Sequence, residues 1–159
     1  MSLAENIQMV KEKIARAALE AGRAPEEITL VAATKVQSSQ TIREAIAAGI
    51  TVCGENRVQE MTAHLDDDAY AGARLHFIGH LQTNKVRQVV GRVDMIESVD
   101  SPRLLQAIEA QADKLRLVQD ILLEVNVGGE ASKSGISPEE LPQLAAQAAA
   151  LPHIRLRGL

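Results

Sequence analysis

A parallel-sheet α/β architecture is the fold class this sequence predicts, and three observations carry it. Apolar, β-branched segments begin near residues 28, 50, 74, 93, 119 and 153. Each is separated from the next by a helix-forming segment, with short turns between them. The segments also read as continuous apolar runs, which suits strands covered on both faces. Repeated βα units with right-handed crossovers build either an open doubly wound sheet or a closed barrel, and composition alone does not choose.

The elements follow in order. Ser2 and Glu5 fit a capping box, and Leu3, Ile7, Val10, Ile14, Ala17 and Ala21 recur at helical spacing until Gly22 supplies a stop. This predicts a surface helix with one buried stripe. After a turn at Pro25, residues 28–36 read as a buried strand with one lysine, Lys35, at its tip. A helix through 41–46, closed by Gly49, leads to a strand at 50–53. Gly54-Glu55-Asn56 turns into a helix carrying Val58, Met61 and Leu65, and the acidic run Asp66-Asp67-Asp68 marks its solvated exit. A strand at 75–78 passes through Gly79 into a helix around 85–90. After a strand at 93–97, a cap at Asp100 or Ser101 with Pro102 in the first helical position starts a helix bearing Leu104, Leu105, Ile108 and Ala112. The strongest strand spans 117–127, followed by a polar loop over 128–137. Ser137-Pro138-Glu139-Glu140 reads as a capping box with proline inside it, and residues 154–159 begin another strand.

Composition removes several classes of function. A chain of 159 residues can bury a full core, which predicts a single domain over 1–159. Its 17 basic and 21 acidic residues give a net charge of -4 without a basic block, arguing against nucleic acid and a membrane surface as partners. Tyr70 and Phe77 are the only aromatics, so the core is aliphatic and base-stacking platforms are missing. Cys53 is alone, the N-terminal helix carries charges rather than a signal-peptide pattern, and no run reaches membrane-spanning length. These features predict a cytoplasmic protein. His64, His76, His80 and His153 show no zinc-site spacing, and Ser132 and Ser134 lack a GxSxG context.

The chemistry should lie just beyond the strand carboxyl ends, where parallel α/β folds bind ligands. That rule collects Thr34-Lys35, Gly54-Glu55-Asn56, Gly79-His80-Leu81-Gln82, Glu97-Ser98-Val99-Asp100, and Asn126 through Lys133-Ser134-Gly135. Lys35 is the most informative of these. An ammonium taken out of water needs a partner or a lowered pKa, and a neutral amine condenses with an aldehyde. The alternative is that Lys35 leaves the sheet and reaches solvent. His80 could donate to a ligand or simply be a solvated turn residue. Glu55 and Asp100 are candidate carboxylates with no spacing that pairs them. Against the open sheet stands the lack of GxGxxG after the first strand and of GxxxxGK[ST] anywhere. A barrel needs eight units and about 200–250 residues; this chain supplies about six.

Five blocks together resemble one family. They are Ala33-Thr34-Lys35, Gly54-Glu55-Asn56-Arg57-Val58-Gln59-Glu60, His76-Phe77-Ile78-Gly79-His80-Leu81-Gln82-Thr83-Asn84-Lys85, Asn126 through Ser132-Lys133-Ser134-Gly135-Ile136, and Leu156-Arg157-Gly158-Leu159. In that order they are similar to the pyridoxal phosphate homeostasis protein family, also called the YggS or PROSC family. The resemblance implies a (β/α)8 TIM-barrel type fold (PLP fold type III), like the N-terminal domain of alanine racemase, here truncated to about six βα units. It implies pyridoxal 5'-phosphate (PLP) held as a Schiff base on Lys35. Asn56 falls on the cofactor side after the second strand, His80 in the block after the third, and Lys133 in a glycine-serine loop as an accessory acceptor. The implied role is to bind, buffer and deliver PLP, with apo PLP-dependent enzymes as recipients, rather than to catalyse efficiently.

Two departures qualify that expectation. Arg57 stands where the family commonly has an aromatic residue. The family also continues for two further βα units, which carry the Ser and Gly-Thr groups for phosphate and an arginine facing the pyridine nitrogen. The alternatives are therefore a PLP-dependent amino-acid racemase, for which a second base would be needed, and a truncated barrel fragment unable to bind PLP. Apolar edges left uncovered predict a monomer or a weak homo-oligomer.

Overall fold

The computed structural model describes residues Met1–Leu159. Its sheet has six parallel strands in the order β1-β2-β3-β4-β5-β6. They are β1 (Ala32–Ala33), β2 (Val52–Glu55), β3 (Arg74–Phe77), β4 (Met95–Val99), β5 (Gln119–Leu123) and β6 (Ile154–Gly158). Unbroken consecutive order is the winding of a (β/α) barrel, whereas a doubly wound sheet reverses at a switch point. The choice left open by composition is thus made by topology. Five helices connect or flank the strands: α1 (Leu3–Glu20), α2 (Ser39–Ala47), α3 (Val58–Asp66), α4 (Pro102–Leu115) and α5 (Leu141–Ala150).

Register sorts the side chains by face. Ala33, Gly54, His76, Met95, Asp120 and Arg155 are lateral neighbours in one row. Glu55, Phe77, Ile96, Ile121 and Leu156 form the next, which faces the opposite side of the pleat. Phe77, Ile96 and Ile121 belong to a single cluster of 27 buried residues that includes Met61 of α3, Leu105 and Ile108 of α4, and Leu144 of α5. The helices therefore cover this face. The other row is more polar and pairs laterally: Arg155 and Arg157 each lie 3.5 Å from Asp120, and His76 Nδ1 lies 2.6 Å from Glu97 Oε1, while His76 Nε2 is buried without a partner.

Local chemistry explains most boundaries. Ser2 and Glu5 form the expected reciprocal cap, Ser38 accepts Thr41 N–H at 3.1 Å, and Ser101 accepts Leu104 N–H at 3.2 Å. Asp100 is not the cap of α4; its carboxylate accepts Gly135 N–H at 3.2 Å instead.

Four expectations are corrected. The strand read over 28–36 contracts to Ala32–Ala33, with Ala33 exposed and Val31 half-buried. Within the sheet it pairs with β2 alone, and its exposed Ala33 shows that it is not covered on both faces. The stripe of α1 buries Ile7 and Ala18 but leaves Leu3 and Val10 exposed, because α1 packs on α2 and the turn at 25–27 rather than under the sheet. Residues 85–90 do not form an α-helix; a 3₁₀ helix runs over Thr83–Gln88, followed by buried Val89 and Val90. Side chains three apart eclipse in that geometry, which stacks Val86 and Val89 toward the core. Finally, α5 begins at Leu141: Ser137 and Glu140 do bond reciprocally, but they close the turn that precedes the helix.

Candidate functional site

Lys35 lies on a tight turn just past β1, closed by Gln37 N–H donating to the Thr34 carbonyl at 3.1 Å. Thr34 N–H donates to Gly54 O at 2.9 Å, which sets the turn at the carboxyl end of β1, on the rim of the sheet next to the end of β2. Lys35 is exposed, and its ammonium enters none of the protein's ion pairs. The expectation of a desolvated amine is thereby corrected. Of the two sequence readings, the structure shows the solvent-facing one.

Beneath this turn is a buried polar cluster that connects it to the helix-covered face. Glu55 is fully buried, and its Oε1 accepts from Thr34 Oγ1 at 2.7 Å and Tyr70 OH at 2.8 Å and lies 3.0 Å from His64 Nδ1. The other ring nitrogen, Nε2, donates to the Gln37 carbonyl at 3.1 Å. Glu60 Oε2 accepts Val36 N–H at 2.9 Å. That backbone bond, ahead of the neighbouring Arg57 guanidinium, holds the Glu60 carboxyl below its ordinary 4.5. Burial, reinforced by the bond to Glu55, raises the Tyr70 phenol well above its usual value, and burial with the nearby Glu55 charge pushes the Cys53 thiol up to about 11. Sequence reasoning did not assemble this cluster. Its signal was present as a glutamate closing an apolar strand and a histidine on the inward side of α3.

Asn56 and His80 come together. With Arg57, Gln82 and Lys85 they line a small cavity of about 170 Å³ at the rim after β2 and β3. Asn56 Oδ1 is buried without a hydrogen-bond partner. Gly79 lets this packing occur, because a Cβ there would sit 2.1 Å from the Asn56 carbonyl oxygen. Lys35 lines neither this cavity nor the one around Lys133.

Lys133 stands apart, in the loop after β5. It pairs with Glu130 at 2.9 Å on the surface, near a cavity of about 550 Å³ shared with Glu124, Asn126 and Ser134. Asn126 donates to the Glu130 carbonyl at 2.9 Å and Ser134 to Glu124 at 3.0 Å, so the loop is closed by its own polar groups. Glu55 and Asp100 do not form a carboxylate pair: one is committed to the cluster under β1 and the other to Gly135. No group of three or more His, Cys, Asp or Glu is placed to hold a metal, and no helix is long and apolar enough to cross a membrane.

The residues at the rim fit the aldehyde end of a PLP molecule. A primary amine without a competing carboxylate is the required nucleophile, and the buried, unpartnered Asn56 oxygen after the adjoining strand β2 is an acceptor that a bound group could satisfy.

Known proteins resemble this chain over nearly its whole length. The family described as "Alanine racemase, N-terminal domain" matches residues 2–159. A pyridoxal phosphate homeostasis protein of Aquifex aeolicus is 40% identical over 159 residues, covering 100% of this chain and 70% of the relative. One of Escherichia coli K12 is 41% identical over 160 residues, covering 99% and 68%. PipY of Synechococcus elongatus PCC7942, solved with PLP bound, superposes with a TM-score of 0.77 at 33% identity, covering 92% of this chain and 68% of PipY.

Proposed function

The chain belongs to the pyridoxal phosphate homeostasis protein family, on the alanine racemase N-terminal domain fold, and from that premise we propose that it binds PLP reversibly through Lys35 to buffer and deliver the cofactor. The observation that carries this reading is an unpaired, accessible amine on an anchored turn at the carboxyl rim of a parallel sheet. When bound, PLP supplies an aldehyde that a primary amine captures with release of one water, reversibly. Lys35 provides the amine, and its exposure leaves a path for the cofactor to arrive and depart. Asn56 offers an acceptor on the adjoining strand end, and His80, Arg57 and Lys85 make the neighbouring rim polar and basic. Lys133, on a separate loop and paired with Glu130, is a secondary acceptor at most.

A carrier role is supported by the homeostasis naming of the relatives, and Tyr70, the single tyrosine, is not placed to act as a base at the rim. Racemisation of this type needs a second base at the rim, yet the Tyr70 hydroxyl donates to Glu55 beneath the turn and holds its proton tightly. On this reading the recipients are apo PLP-dependent enzymes of the cytoplasm, a compartment that suits a lone unpaired cysteine.

The test is direct. Mixed with PLP, the protein should develop the visible absorption band of a PLP–lysine adduct, Lys35→Ala should abolish it, and Lys133→Ala should leave most of it. A band unchanged by Lys35→Ala overturns the assignment.

A further inference from the structure

The turn that presents Lys35 is held in a conformation its own sequence does not favour. Val36 has φ 57, in the left-handed region, which a β-branched residue adopts only when its surroundings impose it. Three contacts impose it here, and all come from residues 55–64. Glu55 takes the Thr34 hydroxyl at 2.7 Å, Glu60 takes the Val36 N–H at 2.9 Å, and His64 Nε2 donates to the Gln37 carbonyl at 3.1 Å. Glu55 and His64 are buried and anchor the two ends of the turn. Glu60 acts at its middle, on the left-handed residue itself, and is braced in the first turn of α3 by Arg57 at 3.2 Å. Val36, by contrast, is 79% exposed and receives little packing that could hold it there.

We propose that Glu60 is a positioning residue for Lys35: by gripping the Val36 amide it fixes the left-handed turn and so the direction in which the lysine leaves β1. The proposal rests on the reading of Lys35 as the PLP-bearing residue and deepens it. In the loading step a C=N bond forms between Lys35 Nζ and the aldehyde carbon, and the aldehyde oxygen departs as water with the two hydrogens of the neutral amine. A turn released from Glu60 must find the productive direction anew at each encounter, so the ordering cost moves into loading itself. The bond needs only an acceptor oxygen, which a carboxamide also supplies.

Loading of the full chain with PLP, followed as the rate of growth of the visible band, tests this together with hydrogen exchange of the Val36 amide in the cofactor-free protein. Glu60→Ala should slow loading by about tenfold or more and expose the Val36 amide to exchange, with circular dichroism and melting still those of a folded protein. Glu60→Gln should load close to the parent rate. Adding Val36→Asn to Glu60→Ala should recover most of the lost rate, since asparagine adopts the left-handed turn far more readily. Parent-rate loading by folded Glu60→Ala overturns the proposal, as does a Val36 amide unprotected in the parent protein. So does a double variant as slow as Glu60→Ala, which would divorce Glu60 from the turn. If the parent protein does not load at Lys35 at all, the carrier reading falls first, and the exchange measurement still reads whether Glu60 holds the turn.

Discussion

At the scale of single residues, the consequential feature is the buried polar cluster around Glu55 on the helix-covered side of the sheet. Cys53 shows what that environment does. Its thiol is fully buried beside Glu55 and is raised from 9.0 to about 11. Two outcomes follow. Near pH 8 Cys53 should be inert to a thiol reagent in the folded protein and react fully after denaturation, which a colorimetric thiol titration reads. Because the folded thiol keeps its proton longer than the unfolded one, Cys53 leaves stability unchanged below pH 9 and subtracts from it as pH rises from 9.0 toward 11. Denaturant melts across that window should lose stability in the parent protein, and less so in Cys53→Ala. At this scale the sequence was legible where the strand-end rule applies: Lys35, Asn56 and His80 all stand at the carboxyl rim. Glu55, His64 and Tyr70 were not legible as a unit, because they meet through tertiary packing from β2, α3 and the loop after it, and no spacing announces their shared acceptor.

At the scale of elements, helices announced by side-chain caps were readable, and strands were less so. α1, α2 and α4 begin where Ser2, Ser38 and Ser101 accept backbone N–H groups. β1 was overextended, because an apolar run predicts burial but says nothing of whether a neighbour exists on each side. The apolar run continuing β5 likewise ends early, where Val125 makes only an isolated bridge to Ile136 and Val127 turns into solvent. The junction after β3 gives a prediction at this level. Gly79→Ala places a methyl carbon within 2.1 Å of the Asn56 carbonyl oxygen, and neither backbone can yield cheaply. The substitution should destabilise the protein by about 1–3 kcal/mol, seen as a lower denaturation midpoint. By shifting Asn56 it should also weaken PLP loading more than that loss of stability explains.

At the scale of the whole molecule, six strands in consecutive parallel order place their carboxyl ends on one rim, cover one face with helices and leave the other face to polar pairs such as His76–Glu97 and Arg155–Asp120. The class of fold could be read from alternating segments, and the choice of barrel winding came from strand order, which no local pattern encodes. Lys35, Asn56 and His80 stand on that rim, and the proposed role depends on which nitrogen captures the aldehyde. Incubation with PLP, reduction with borohydride to fix the adduct and peptide mapping by mass spectrometry locate that nitrogen. A pyridoxyl phosphate group on the peptide containing Lys35 is the expected dominant product at limiting PLP. An adduct spread evenly over the surface lysines, or centred on Lys133 with Lys35 unmodified, would contradict the proposed role.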